Sequence, residues 1–344
     1  MVIELSNLTF TTKADIVPAS GMEEITNTGA VNTLTGKDVI TGTGLNAGIY
    51  NIGTIYTSSG NDVITGVNTS GGGGIFTFSG IFNTGVNATI HTGIGNDTIT
   101  ATGYLGIYNS TGLIDTGAGN DTITTIANGG VGIYNTNGIV NTGAGSDAIT
   151  ATSSLGNGIY NSGMINTGAE SDKIVSTGGY GGAGINNHGG TIATATGNDT
   201  LIGTGVYGVY NSGTLDTGTG NDTLVGNGSF AGGSGIYNSD IIDMGAGSDT
   251  VDAYNGGFLG DGTTLLGEGN DLVKGFGSGQ FNGGSGRDLL ELGAGTYTVG
   301  LSGRTVSFTS DGITMNTSSF EKLVAGSSTY SFTSLTDGQT ITVA

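Results

Sequence analysis

Apolar residues in this chain come mostly one at a time, flanked by hydroxyls. Thr98-Ile99-Thr100, Thr122-Ile123-Thr124, Ala148-Ile149-Thr150 and Thr223-Leu224-Val225 share that pattern. Alternation with a period of two over a few residues predicts short strands with one face buried. A glycine-bounded turn with one carboxylate precedes each run, as in TGAGNDTIT at 116–124. Similar units carry Asp62, Asp97, Asp121, Asp147, Asp172, Asp199, Asp222, Asp249, Asp271 and Asp288. From Asp97 to Asp249 the aspartates are 24, 26, 25, 27, 23 and 27 residues apart. Self-similarity at such a period predicts a solenoid, in which each unit packs on its neighbours. Stacking puts the carboxylates in one column, and their mutual repulsion predicts something positive between them.

One unit, 208–228, holds three strand candidates: Val209-Tyr210-Asn211, Thr214-Leu215-Asp216 and Thr223-Leu224-Val225. The expectation is an all-β, right-handed parallel β-helix or β-roll-like solenoid with three faces, about 25 residues per coil and capping regions at both ends. Residues 1–37 fit the repeat poorly and are expected to cap the N-terminal end. Repeats are expected over 38–290, starting with a truncated copy around Asp38, and a β cap over 291–344. Two further ladders are expected. Tyr50, Tyr108, Tyr134, Tyr160, Tyr210 and Tyr237 recur at one position, broken by Asn186. Asn51, Asn109, Asn135, Asn161, Asn187, Asn211 and Asn238 recur at the next, where stacked amides can bond along the column. The long gap between Asp62 and Asp97 holds GGGGIFTFSGIFNTG (71–85), with Phe76, Phe78 and Phe82. It reads as an inserted half-turn.

Glycine supplies 72 of 344 residues, yet not at every third position, which excludes collagen. The formal net charge is −20 and no basic patch exists, which argues against nucleic acid and anionic membranes as partners. With no cysteine, disulfides and thiolate zinc sites are impossible. The start, Met1-Val2-Ile3-Glu4, does not read as a cleaved Sec signal, and no apolar run suits membrane insertion. Acids placed singly in glycine turns favour a hard cation with oxygen ligands, because Ca²⁺ takes six to eight oxygens in flexible geometry. The bland alternative is that these side chains only cap their own turns.

GGSGRDLLE (283–291) matches GGxGxDxUx, the nonapeptide of the haemolysin-type calcium-binding (RTX) family. TGIGNDTIT (92–100), TGAGNDTIT (116–124), TGAGSDAIT (142–150) and TGTGNDTLV (217–225) resemble it with threonine first. The resemblance implies Ca²⁺ between successive coils, held by the aspartate carboxylates and by carbonyls of the glycine turns. That implication is weaker where a glycine is replaced, at Ser58, Glu170 and Ala195. The longer coil predicts a single file of ions. The resemblance also implies type I secretion from a Gram-negative-type bacterium, with 320–344 resembling its uncleaved signal.

These readings lead to a secreted, calcium-stabilised structural protein of a cell surface or extracellular matrix, not an enzyme, which self-associates end to end or laterally. Extracellular polysaccharide is a further candidate partner. The competing reading is an adhesin or an ice- or glycan-binding solenoid, and the TxT positions are its best candidates. A polysaccharide lyase or epimerase ranks last. Its only seed is Arg287, Arg304 and Lys322, since His91 and His188 sit at unrelated repeat positions.

Overall fold

The computed structural model describes residues 1–18, 23–70, 78–229 and 232–344. Three long sheets of eleven, fifteen and fourteen strands wrap the chain into stacked coils. One coil runs Leu105–Ser110, Leu113–Asp115 and Thr122–Ala127, one strand per sheet. The next coil repeats the order with Ile133–Thr136, Ile139–Asn141 and Ala148–Ser153. Strands in these coils pair in parallel with their equivalents, placing Ile107 beside Ile133, Ile114 beside Val140 and Ile123 beside Ile149. The expected β-solenoid is therefore what forms, and the strands expected in 208–228 are each present.

One aliphatic residue per strand points inward, so the core is three columns of isoleucine, leucine and valine with essentially no exposure. Burying each such side chain contributes about 1.5–3 kcal/mol. The first ladder inside the core is asparagine. Asn27, Asn51, Asn83, Asn109, Asn135, Asn161, Asn187, Asn211 and Asn238 are linked head to tail, each Nδ2 donating to the Oδ1 of the next coil at 2.7–2.9 Å. The second amide hydrogen finds backbone carbonyls, as Asn109 finds those of Gly112 and Ile139. This satisfies an otherwise costly buried polar column.

The ends differ from expectation in an instructive way. The segment expected as an N-terminal cap already contributes Val2–Glu4, Ile16–Val17, Glu24–Asn27 and Ala30–Asn32 to the three sheets. Its inward Ile25 and Val31 continue the core columns although it lacks the glycine–aspartate turn. The first part of the insertion, 71–77 with Phe76, lies outside the described residues. Beyond it, Ser79–Thr84 returns in register between Ala47–Asn51 and Leu105–Ser110. After Leu292 the repeat gives way to antiparallel strands Gly295–Ser302, Thr305–Ser310 and Ile313–Ser318. Phe308, Phe320 and Phe332 fill this cap.

Candidate functional site: a buried carboxylate column and a charge-poor face

The glycine turn is built around two left-handed glycines. In TGAGND, Gly117 and Gly119 have φ of 97° and 131°. A Cβ on Gly119 would lie 1.8 Å from the carbonyl oxygen of Gly95 one coil away, so any larger residue there must shift the turn. Where the sequence departs from glycine the turn still forms, with Ser58, Glu170 and Ala195 forced to φ of 71°, 77° and 64°. Each costs on the order of 1–2 kcal/mol. Among the described residues, the carbonyls of Gly60, Gly95, Gly119, Gly145, Gly197 and Gly220 accept no hydrogen bond.

The turn aims its aspartate inward. All ten predicted residues, Asp62 to Asp288, fall in one column and are at most 2 % exposed. In each, Oδ1 accepts the backbone N–H of the equivalent aspartate on the preceding coil at 2.7–3.0 Å, as Asp121 accepts from Asp97. Between successive carboxylates lies one backbone amide, which takes Oδ1 and leaves the charge of the column in place. The side chains do not merely cap their own turns, because they cap the neighbouring coil. The column ends at Asp38, the truncated first copy, and at Glu321, which sequence reasoning missed. Asp38 accepts from Asp15, and Glu321, from the C-terminal cap, accepts the N–H of Asp288 at 2.6 Å.

The second oxygen is different. Oδ2 of all ten is buried with no hydrogen-bond partner. A threonine five residues earlier stands beside it in seven coils, from Thr57 with Asp62 to Thr217 with Asp222. A hydroxyl has one proton. Thr92, Thr116 and Thr142 donate theirs to the next coil's carbonyl, which leaves Oδ2 unpaired. Burial pushes the carboxyls up, against the hydrogen bonds that lower them: Asp62, Asp147, Asp222 and Asp288 to about 6, Asp121, Asp172 and Asp249 to about 7. Asp97, Asp199 and Asp271 are raised for the same reason. Orphaned Oδ2 atoms and uncommitted glycine carbonyls are the donor type a hard cation takes. Each coil supplies one carboxylate, and among the described residues no three acids or histidines converge.

On the outside, alternation carries the same turn into an exposed surface. Residues 118, 120, 122, 124 and 126 face outward together: Ala118, Asn120, Thr122, Thr124 and Ile126. Strands pair in register so that each is one row of a column. One column is Thr65, Thr100, Thr124, Thr150, Val175, Ile202 and Val225. Beside it run Val63, Thr98, Thr122, Ala148, Lys173, Thr200 and Thr223. Asn61, Asn96 and Asn120 are locked by a ladder in which each Oδ1 accepts the next coil's N–H. From Ser59 to Asn227, among the described residues, this face carries two charges, Glu170 and Lys173, both on one coil.

The aromatic ladder lies on another sheet. Tyr50, Phe82, Tyr108, Tyr134 and Tyr160 stack with centroids 4.9–5.6 Å apart, and Tyr210 stacks on Tyr237 at 4.5 Å. Their faces cover one another, so they offer edges, and not planes, to a sugar. His188 tilts over Tyr160 where Asn186 breaks the row. His91 stacks on Tyr56 and sits 2.8 Å from Asp115. Asp243 aligns with Asp216 on the second sheet, and Asp252 faces Lys274 at 4.0 Å. Arg287 and Lys322 share a small pocket with Glu321 and Tyr330, and Arg304 is not among its lining residues.

No protein-family model matches the chain, and no curated protein does. Among solved structures, it is similar to a hyperactive, Ca²⁺-dependent, β-helical antifreeze protein from an Antarctic bacterium, at 18% identity and a TM-score of 0.48 over 95% of this chain and 96% of that one. At that level, activity has to be argued from this chain's own residues. No helix among the described residues is long and apolar enough to cross a membrane.

Proposed function

We propose that the chain is an ice-binding solenoid whose binding surface is the charge-poor threonine face, and that Ca²⁺ on the carboxylate column rigidifies it. The in-register threonine columns between Val63 and Asn227 carry the reading. Where threonines follow one another, as from Thr65 to Thr150, parallel stacking repeats their hydroxyls and methyls about every 4.8 Å along the solenoid and about every 6.6 Å along each strand. A periodic array of that kind meets a periodic solid surface. Charged side chains hold mobile water, and along this face the acids are turned inward into the column.

Support for calcium is the orphaned Oδ2 column together with the nonapeptide resemblance. The ion would neutralise carboxylates whose burial otherwise favours protonation. Asp62 to Asp288 would hold it with glycine-turn carbonyls, coupling metal to folding. Thermal hysteresis and ice-recrystallisation assays in calcium test the function. Thr124→Tyr and Thr150→Tyr, on adjacent coils of the central column, are expected to abolish most of the hysteresis without lowering the melting temperature. Wild-type protein that freezes like buffer sinks the ice reading. If concentration-dependent filaments then form, the self-assembling rod expected from the sequence takes its place.

A further inference from the structure

Where the repeat hands over to the cap, the second sheet changes character. Thr263–Leu265, Gly279–Asn282 and Ile313–Ser318 still pair in parallel, with Gln280 beside Asn316 and Asn282 beside Ser318. Thr305–Ser310 then adds antiparallel, so the sheet departs from the stack. At that departure lies a pocket of about 220 Å³. Its polar wall is Thr263, Gln280, Asn316, Ser318 and Thr305, with Leu265 as the apolar side chain on the same outward face. The wall contains no charge, and among the described residues the side-chain amides and hydroxyls of Gln280, Asn316, Ser318 and Thr263 make no hydrogen bond within the protein.

We propose that this pocket binds one residue of a neutral saccharide. Uncommitted amides and hydroxyls supply both donors and acceptors, which a ring bearing vicinal hydroxyls needs. The Leu265 side chain suits the C–H face of such a ring. The volume is below the roughly 300–1,000 Å³ of drug-sized sites, which limits the occupant to a single ring. Asp243 stands next to Leu265 in the adjoining row, so a uronate or sulfated sugar would meet a carboxylate. The site is separate from the threonine face, on a different sheet.

The test is heteronuclear NMR titration of the full-length, calcium-loaded protein with glucose, mannose, galactose, N-acetylglucosamine and glucuronate, each also as a short oligosaccharide. At least one neutral sugar is expected to shift the Gln280 and Asn316 side-chain amide signals at millimolar concentration, with glucuronate inert. The double variant Gln280→Ala, Asn316→Ala is expected to weaken binding at least about tenfold while backbone amide signals of the repeats stay in place. An oligosaccharide that binds more tightly than its monomer identifies a chain end as the source, and equal affinities identify the free sugar. Unchanged Gln280 and Asn316 signals with every neutral sugar, or stronger binding of glucuronate, overturn the proposal. Neither result bears on thermal hysteresis, so the ice reading is judged separately.

Discussion

Asp147→Asn separates a carboxylate that needs a cation from one that only fills a corner. In the wild type, Oδ1 of Asp147 accepts the Asp121 N–H at 2.7 Å, and Oδ2 has no partner. Asparagine keeps the acceptor and turns the orphan into a donor beside Thr142, whose own proton already goes to the Thr167 carbonyl. Burial raises the carboxyl from 3.8 to about 6. A tenfold change in proton affinity corresponds to about 1.4 kcal/mol, so the ionised side chain costs the metal-free fold about 3 kcal/mol at pH 8. The folded-state value lies above the unfolded one. Metal-free stability is therefore fully present below about pH 3.8, falls as pH rises to about 6, and is flat beyond. In EDTA at pH 8 the substitution should gain up to about 3 kcal/mol, and at pH 4 almost nothing. In saturating calcium at pH 8 its sign should reverse, because a charged ligand is lost and with it mass-action stabilisation. Urea midpoints followed by far-ultraviolet circular dichroism read all three conditions. Midpoints are compared directly, since a repeat array does not guarantee two-state unfolding. If the substitution destabilises equally in all three, the charge of Asp147 is irrelevant and the column is purely a hydrogen-bond device.

Asn135→Ala should cost about 1–3 kcal/mol, seen as a lowered melting temperature, because one Asn109 Nδ2 hydrogen loses its acceptor and Asn161 Oδ1 keeps only the 3.3 Å bond from the Gly163 N–H. Glu170→Gly should raise stability by about 1 kcal/mol by relieving a left-handed glutamate, and an unchanged melt would show the turn is not strained there. Glu321→Ala removes the acceptor of the Asp288 N–H. Hydrogen exchange should then accelerate in Leu289–Leu292 and Lys322–Ala325, which pair with each other, while Thr122–Ala127 stays protected. Equal acceleration throughout would mean that the ends and the middle unfold together.

Which parts of the molecule were legible in the sequence follows from what each part depends on. The coil, its three strands and the aspartate column depend on local alternation and on glycine, and both are visible in a single repeat. The asparagine ladder was legible where tyrosine precedes it. Asn27 and Asn83 were hidden because Thr26 and Phe82 stand in the tyrosine's place. Their membership is set by register, which the inward Ile25 and Ile81 fix through packing. Glu321 was illegible for a stronger reason. It lies 33 residues from the amide it caps and belongs to no motif, so only the folded cap brings it there. The direction of the carboxylates was the least accessible feature. A turn aspartate carries no sign of its face by itself, and only the fold shows that it occupies the parity of the inward isoleucine two residues later, as Asp121 does with Ile123. That parity has a functional consequence. By taking the acids inside, each turn leaves asparagine or serine and then threonine on the outside, so one nine-residue unit builds both the charged spine and the charge-poor face. Substitutions that loosen the spine should therefore disorder the face, and hysteresis should fall when calcium is removed even though no threonine has changed.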